Sequence, residues 1–168
     1  GAYELIRRRV PRMIVCDASA DPAYTMDGLG ELIRKVRIDF DARVEPVPPG
    51  QVTAWMNAGL VPAAVAARLG ALNDLKPAAD GLSRRHATLF RVHYGRGGEP
   101  SYLLYLKAGV TGDEDPDVLE YKALHGDFPH ESTVDQFFDE AQWESYRRLG
   151  EHAAGELFGG SDWFWKIP

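Results

Sequence analysis

Apolar positions along the chain fall into runs of different spacing, and each spacing predicts a kind of element. Ala2, Leu5 and Ile6 recur at helical intervals and three arginines follow, where cations suit the carboxyl end of a helix dipole. Val10-Pro11 stops the run, which predicts a short helix from Ala2 to Arg9. Met13, Ile14, Val15 and Cys16 are then apolar without alternation, the pattern of a strand buried on both faces, as central parallel strands are. "DASADP" forms a loop at the carboxyl end of that strand. Thr25 stands as an N-cap before Met26, Leu29, Leu32, Ile33 and Val36, predicting a helix through Arg37. Phe40, Ala42 and Val44 alternate as a second strand. The three elements make a strand–helix–strand unit, a right-handed crossover if its strands lie parallel in one sheet, and the fold class is α/β.

From Pro46 to Gly81 the composition shifts to Pro, Ala and Gly, with a weak helical stretch around Ala63–Leu72, so a long connection with one or two helical pieces is expected. His86–Tyr94 and Ser101–Lys107 are rich in β-branched and aromatic residues and flank "GRGGEP", which predicts a hairpin. Asp115 or Asp117 caps a helix through His125. The last helix is predicted from Ser132 or Thr133, with Gln136 completing a capping box and Val134, Phe137, Phe138, Ala141, Tyr146 and Leu149 as its apolar stripe. The chain thus divides into a crossover unit (1–46), a Pro/Ala-rich connection (47–82) and a hairpin with helices (83–168), forming a single domain or a fragment of one.

Composition narrows the function. With 45% apolar and 26% charged residues the chain is an ordinary globular sequence. Its net charge of −6 is uneven: residues 1–100 carry 14 Lys/Arg against 11 Asp/Glu, and residues 101–168 carry 5 against 14. A phosphate-binding surface therefore belongs to the N-terminal end, and nucleic acid is excluded as a partner because the basic residues are few and not interleaved with exposed aromatics. The single cysteine, Cys16, cannot form an intrachain disulfide and is expected to be a small buried hydrophobe. No run approaches the ~18 apolar residues a spanning helix needs.

Candidate chemistry is sparse. No G-x-S-x-G pentapeptide occurs, so the strained turn that exposes a hydrolase serine is missing. Ser19 lies at the carboxyl end of a strand but has no flanking glycine or local histidine, and is expected to cap the loop. Asp17 and Asp21 suit a hard cation or an acid/base pair, but without further oxygen ligands at motif spacing they are expected to accept turn N–H groups. His86, His93, His125, His130 and His152 include no i, i+4 pair, so no metal and no cofactor are expected. Arg7, Arg8 and Arg9 suit an anionic headgroup, with a solvated helix end as the plainer reading. Trp163, Phe164 and Trp165 suit a membrane-surface anchor, though a tail folded onto the core is the expectation.

Several strings together resemble one family. "YELIRRR", "DASADP" with "DGLGELIRKVRIDF", and "YLKAGVTGDEDPDVLEYKALHGDFPHESTVDQFFDEAQWESYRRLGEH" resemble the C-terminal part of bacterial patatin-like phospholipases, a group similar to the cytosolic phospholipases A2. The resemblance covers residues 1–45 and about 83–153. It implies a lipid acyl hydrolase with a Ser–Asp dyad, of which this chain carries neither member, and a catalytic Asp-Gly-Gly lying just upstream of Gly1. On this reading the chain is the distal part of a patatin-like sheet, inactive alone, and its partners are the upstream half of the polypeptide and a lipid or membrane surface on the cytoplasmic side. Arg8 or Arg9 would face the lipid phosphate. An unpaired sheet edge would allow homo-oligomers. The alternative is a noncatalytic interaction module using the acidic face of residues 113–144.

Overall fold

β1 (Arg12–Asp17), β2 (Ala42–Pro46), β3 (Ala87–Tyr94) and β4 (Ser101–Lys107) form one mixed sheet in the order β1-β4-β3-β2. This is the arrangement in a computed structural model that describes residues 1–168 apart from Arg96, Thr133 and Asp135. β1 runs parallel to β4, while β3 is antiparallel to both β4 and β2. β1 and β2 are therefore parallel members of one sheet, joined through α2 (Asp27–Phe40), as the crossover reading requires. They are not neighbours, because the β3–β4 hairpin is inserted between them.

That insertion corrects the reading of β1. The continuously buried strands are β3 and β4, and β1 is an edge strand with Ile14 40% exposed and Cys16 exposed rather than buried. Tyr102 N–H donates to Pro11 O, and Ala108 N–H to Asp17 O. Parallel ladders alternate, so the N–H and C=O groups of Arg12, Ile14 and Cys16 face away from β4.

Period-two burial on the central strands builds two cores. On one face Met13, Phe90, Val92, Leu103 and Tyr105 pack under α1 (Ala2–Arg7) and α2. On the other, Leu89, Tyr102 and Leu104 pack under α3 (Pro49–Asn57), α4 (Ala63–Ala66), the end of α6 (Glu140–Phe158) and α7 (Trp163–Lys166). The C-terminal tail folds back as expected. Trp163, Phe164 and Ile167 are buried, and Trp163 Nε1 donates to Leu157 O at 2.6 Å. Arg12 fixes the tail to β1 by donating to the carbonyls of Phe164 and Ile167 and lying over the Tyr102 ring.

Helix boundaries moved where capping was misread. Thr25 does not cap α2; Met26 occupies the N-cap in a left-handed conformation, and α2 runs on to include Phe40. α1 ends at Arg7. α5 (Pro116–Leu124) has Asp115 at its N-cap position, as one of the two candidates, although the Asp115 carboxylate is spent on Arg148 instead. The largest shift is in α6, whose N-cap is Asp139, accepting from Gln142 N–H at 2.8 Å. Thr133 lies outside the described residues, and Ser132 lies outside the helix, whose first residue is Glu140. Val134 and Phe137, read as members of the buried stripe, are 89% and 94% exposed, so only the part from Gln142 through Leu149 to Leu157 is the true buried face.

Candidate functional site

Where β1 and β4 end side by side, period two places Asp17 and Lys107 at the same register level. Lys107 follows Leu103 and Tyr105 on the face that packs under α2, so its stem enters the core and its ammonium reaches the loop after β1. The side chain is 0% exposed. Its Nζ stands 3.2 Å from Asp17 Oδ2, 3.4 Å from Asp21 Oδ2 and 3.4 Å from Ser19 Oγ. Tyr105 also donates its hydroxyl to Asp17 Oδ2.

The two carboxylates do what the loop reading expected of them. Asp17 Oδ1 accepts from Ser19 N–H at 3.0 Å and Ser19 Oγ at 2.6 Å. Asp21 accepts from the N–H groups of Thr25 and Met26 and from Thr25 Oγ1, which holds the turn into α2. Burial raises the Asp17 carboxyl, but the donors from Ser19, Tyr105 and Lys107 outweigh it and bring the group down to about 2. A carboxylate this weakly basic cannot take a proton from Ser19. The cluster therefore builds the loop and does not activate a nucleophile.

His130 secures the same loop from the far side. Its Nδ1 lies 3.0 Å from Ser19 O and its Nε2 3.0 Å from Ala108 O, with Tyr24 edge-on at 4.4 Å. Beside the cluster, α1, α2 and the β1 edge enclose an open cleft of about 400 Å³, with Tyr3, Leu32, Leu103 and Tyr105 as apolar wall and Asp17 and Ser19 at one end.

No family model, curated protein or solved structure matches the chain. No helix among the described residues is long and apolar enough to cross a membrane.

The arginines lie elsewhere. Arg8 binds Glu4 at 2.6 Å, while Arg9 lies 4.7 Å over the Tyr94 ring and donates to Gly97 O. Arg9 lines a second cleft with Arg7, Asp39 and Asp41, away from the Asp17 loop. The acidic face of residues 113–144 is largely occupied within the chain: Asp113 by Arg68, Asp115 by Arg148, Glu144 by Arg147, and Glu114 by the N–H groups of Thr111 and Gly112.

Sequence reasoning missed Lys107, Tyr105 and His130. A signal existed for Lys107, since a charged residue in phase with Leu103 and Tyr105 on a strand must be buried with a counter-charge. It also missed that His86 and His152, 66 positions apart by number, come together beside Asp113, with ligand-capable atoms of all three within 4.8 Å. Spacing rules for helical pairs cannot detect that.

Proposed function

We propose that this chain is the C-terminal segment of a patatin-like lipid acyl hydrolase, whose Ser–Asp dyad is supplied by sequence upstream of residue 1. The observation that carries the reading is β1: its residues are apolar on both faces, yet its outer edge is unpaired and Ile14 and Cys16 are uncovered. A strand of that composition is suited to the middle of a sheet, with a further strand beside it. The apolar cleft along the same edge is suited to form one wall of an acyl site, with upstream sequence supplying the other. The absence of an activated nucleophile at Ser19 fits a segment that shapes a site without catalysing. Arg8 and Arg9 would meet a lipid phosphate by giving up Glu4 and the Tyr94 ring.

The test is an esterase assay with a p-nitrophenyl acyl ester, run on this chain and on the longest product of its gene. Hydrolysis by the longer product alone, with G-x-S-x-G and D-G-G upstream, supports the reading. If both are inert and the gene encodes neither motif, the reading fails. A second reading, a noncatalytic interaction module, then replaces it. It is favoured by the exposure of Trp143 on α6, an apolar side chain of the kind protein partners cover.

A further inference from the structure

His86, at the entry to β3, is 1% exposed; Asp113 lies in the β4–α5 loop, and His152 projects from α6. The two imidazoles meet edge to face at 5.4 Å. His152 Nε2 is buried and 3.3 Å from Asp113 Oδ1, yet makes no hydrogen bond. A buried ring nitrogen that faces a carboxylate without making a hydrogen bond to it is suited to share an ion with that carboxylate.

The carboxylate is pre-aimed. Arg68 holds Asp113 Oδ2 at 2.7 Å, and Thr111 Oγ1 donates to Asp113 Oδ1 at 2.5 Å, leaving Oδ1 turned toward His152. Thr111 is itself within 3.4 Å of His86 Nε2 and 3.0 Å of Glu114 Oε1. Such outer partners orient metal ligands. In a tetrahedral zinc site with bonds of about 2.0–2.1 Å, ligand atoms stand about 3.4 Å apart. The Asp113–His152 pair already has that separation, and a ring nitrogen of His86 lies within 4.8 Å of both.

We propose that His86, Asp113 and His152 bind a divalent transition-metal ion, zinc by the match of donor set, and so tie α6 to the sheet at the head of β3. Two imidazoles with one carboxylate suit zinc, whereas magnesium and calcium need mostly oxygen ligands. Charge favours a cation there: Asp113 and Glu156 share the Arg68 guanidinium, and the Glu114 carboxylate lies 3.0 Å from Thr111 Oγ1. A cleft of about 280 Å³ lies on the α6 side of His152, lined also by Asp115, Arg148, Glu151 and Glu156.

The test is zinc titration of the metal-stripped 168-residue chain by calorimetry, with imidazole resonances followed by NMR. One zinc per chain is expected, with shifts confined to His86 and His152 among the five histidines. H152A and D113N should each weaken binding at least tenfold, and H93Q, near the far end of β3, should leave it within twofold. Because the NMR arm uses the unaltered chain, unfolding of a variant does not remove the test. No saturable binding, shifts at other histidines, or affinity unchanged in H152A and D113N overturns the proposal.

Discussion

Replacing Lys107 with methionine removes the only cation found in the Asp17–Asp21 cluster among the described residues while keeping the length of the buried stem. Breaking a buried ion pair from one side costs about 3–5 kcal/mol, because a charge is left without a partner. Here each carboxylate retains three other donors: Ser19 N–H, Ser19 Oγ and Tyr105 Oη for Asp17, and Thr25 N–H, Thr25 Oγ1 and Met26 N–H for Asp21. The loss should therefore fall at the lower end, about 3 kcal/mol. In a chain of this size that corresponds to a melting temperature lower by roughly 6–12 °C.

The loss should also depend on pH. Asp17 is held at about 2 against an ordinary 3.8. A carboxyl held low stabilises the fold above its unfolded value, and that contribution disappears as pH falls toward the folded one. Without Lys107 the depression shrinks, so the deficit is complete at neutral pH and declines below about pH 4. Urea unfolding followed by tryptophan fluorescence reads both effects. A loss under about 1 kcal/mol at neutral pH, or an equal loss at about pH 2.5, refutes the assignment of Lys107 as an essential buried counter-ion.

Asp139→Ala removes the N-cap of α6 and should cost about 1 kcal/mol by the same unfolding assay, whereas Ser132→Ala, at the start expected from sequence, should stay within about 0.5 kcal/mol. Leu157→Ala opens a cavity where the end of α6 meets Trp163 and Leu104, and should cost about 2–5 kcal/mol; a smaller loss would mean that the tail is not docked there. Burial foremost, and then Lys107, hold His130 below its ordinary value, against the pull of the Ser19 and Ala108 carbonyls and of Asp21. The unfolded chain then takes the proton first, so stability falls as pH drops through about 6.5. His130→Gln should reduce that fall between about pH 7.5 and 5.5 without abolishing it, since His86 is shifted the same way by burial.

Local signals determined the hairpin strands, the parallel pair joined by a helix, and the turn-satisfying role of Asp17 and Asp21. Each of these depends on residues close in sequence: β-branched and aromatic runs around glycines, helical spacing from Met26 to Val36, and short carboxylates beside free N–H groups. Tertiary structure decided what depends on neighbours far along the chain. Met13–Cys16 carries the composition of a central strand, and only the insertion of β3 and β4 beside it makes β1 an edge. The stripe from Val134 has helical spacing, yet Asp139 offers the cap that Gln142 N–H uses, and the preceding apolar residues are left outside. Lys107 finds its counter-charges about 90 residues away, as the register of β1 against β4 dictates. His86, Asp113 and His152 meet because a strand entry, a loop and a helix converge, and no one-dimensional spacing encodes that convergence.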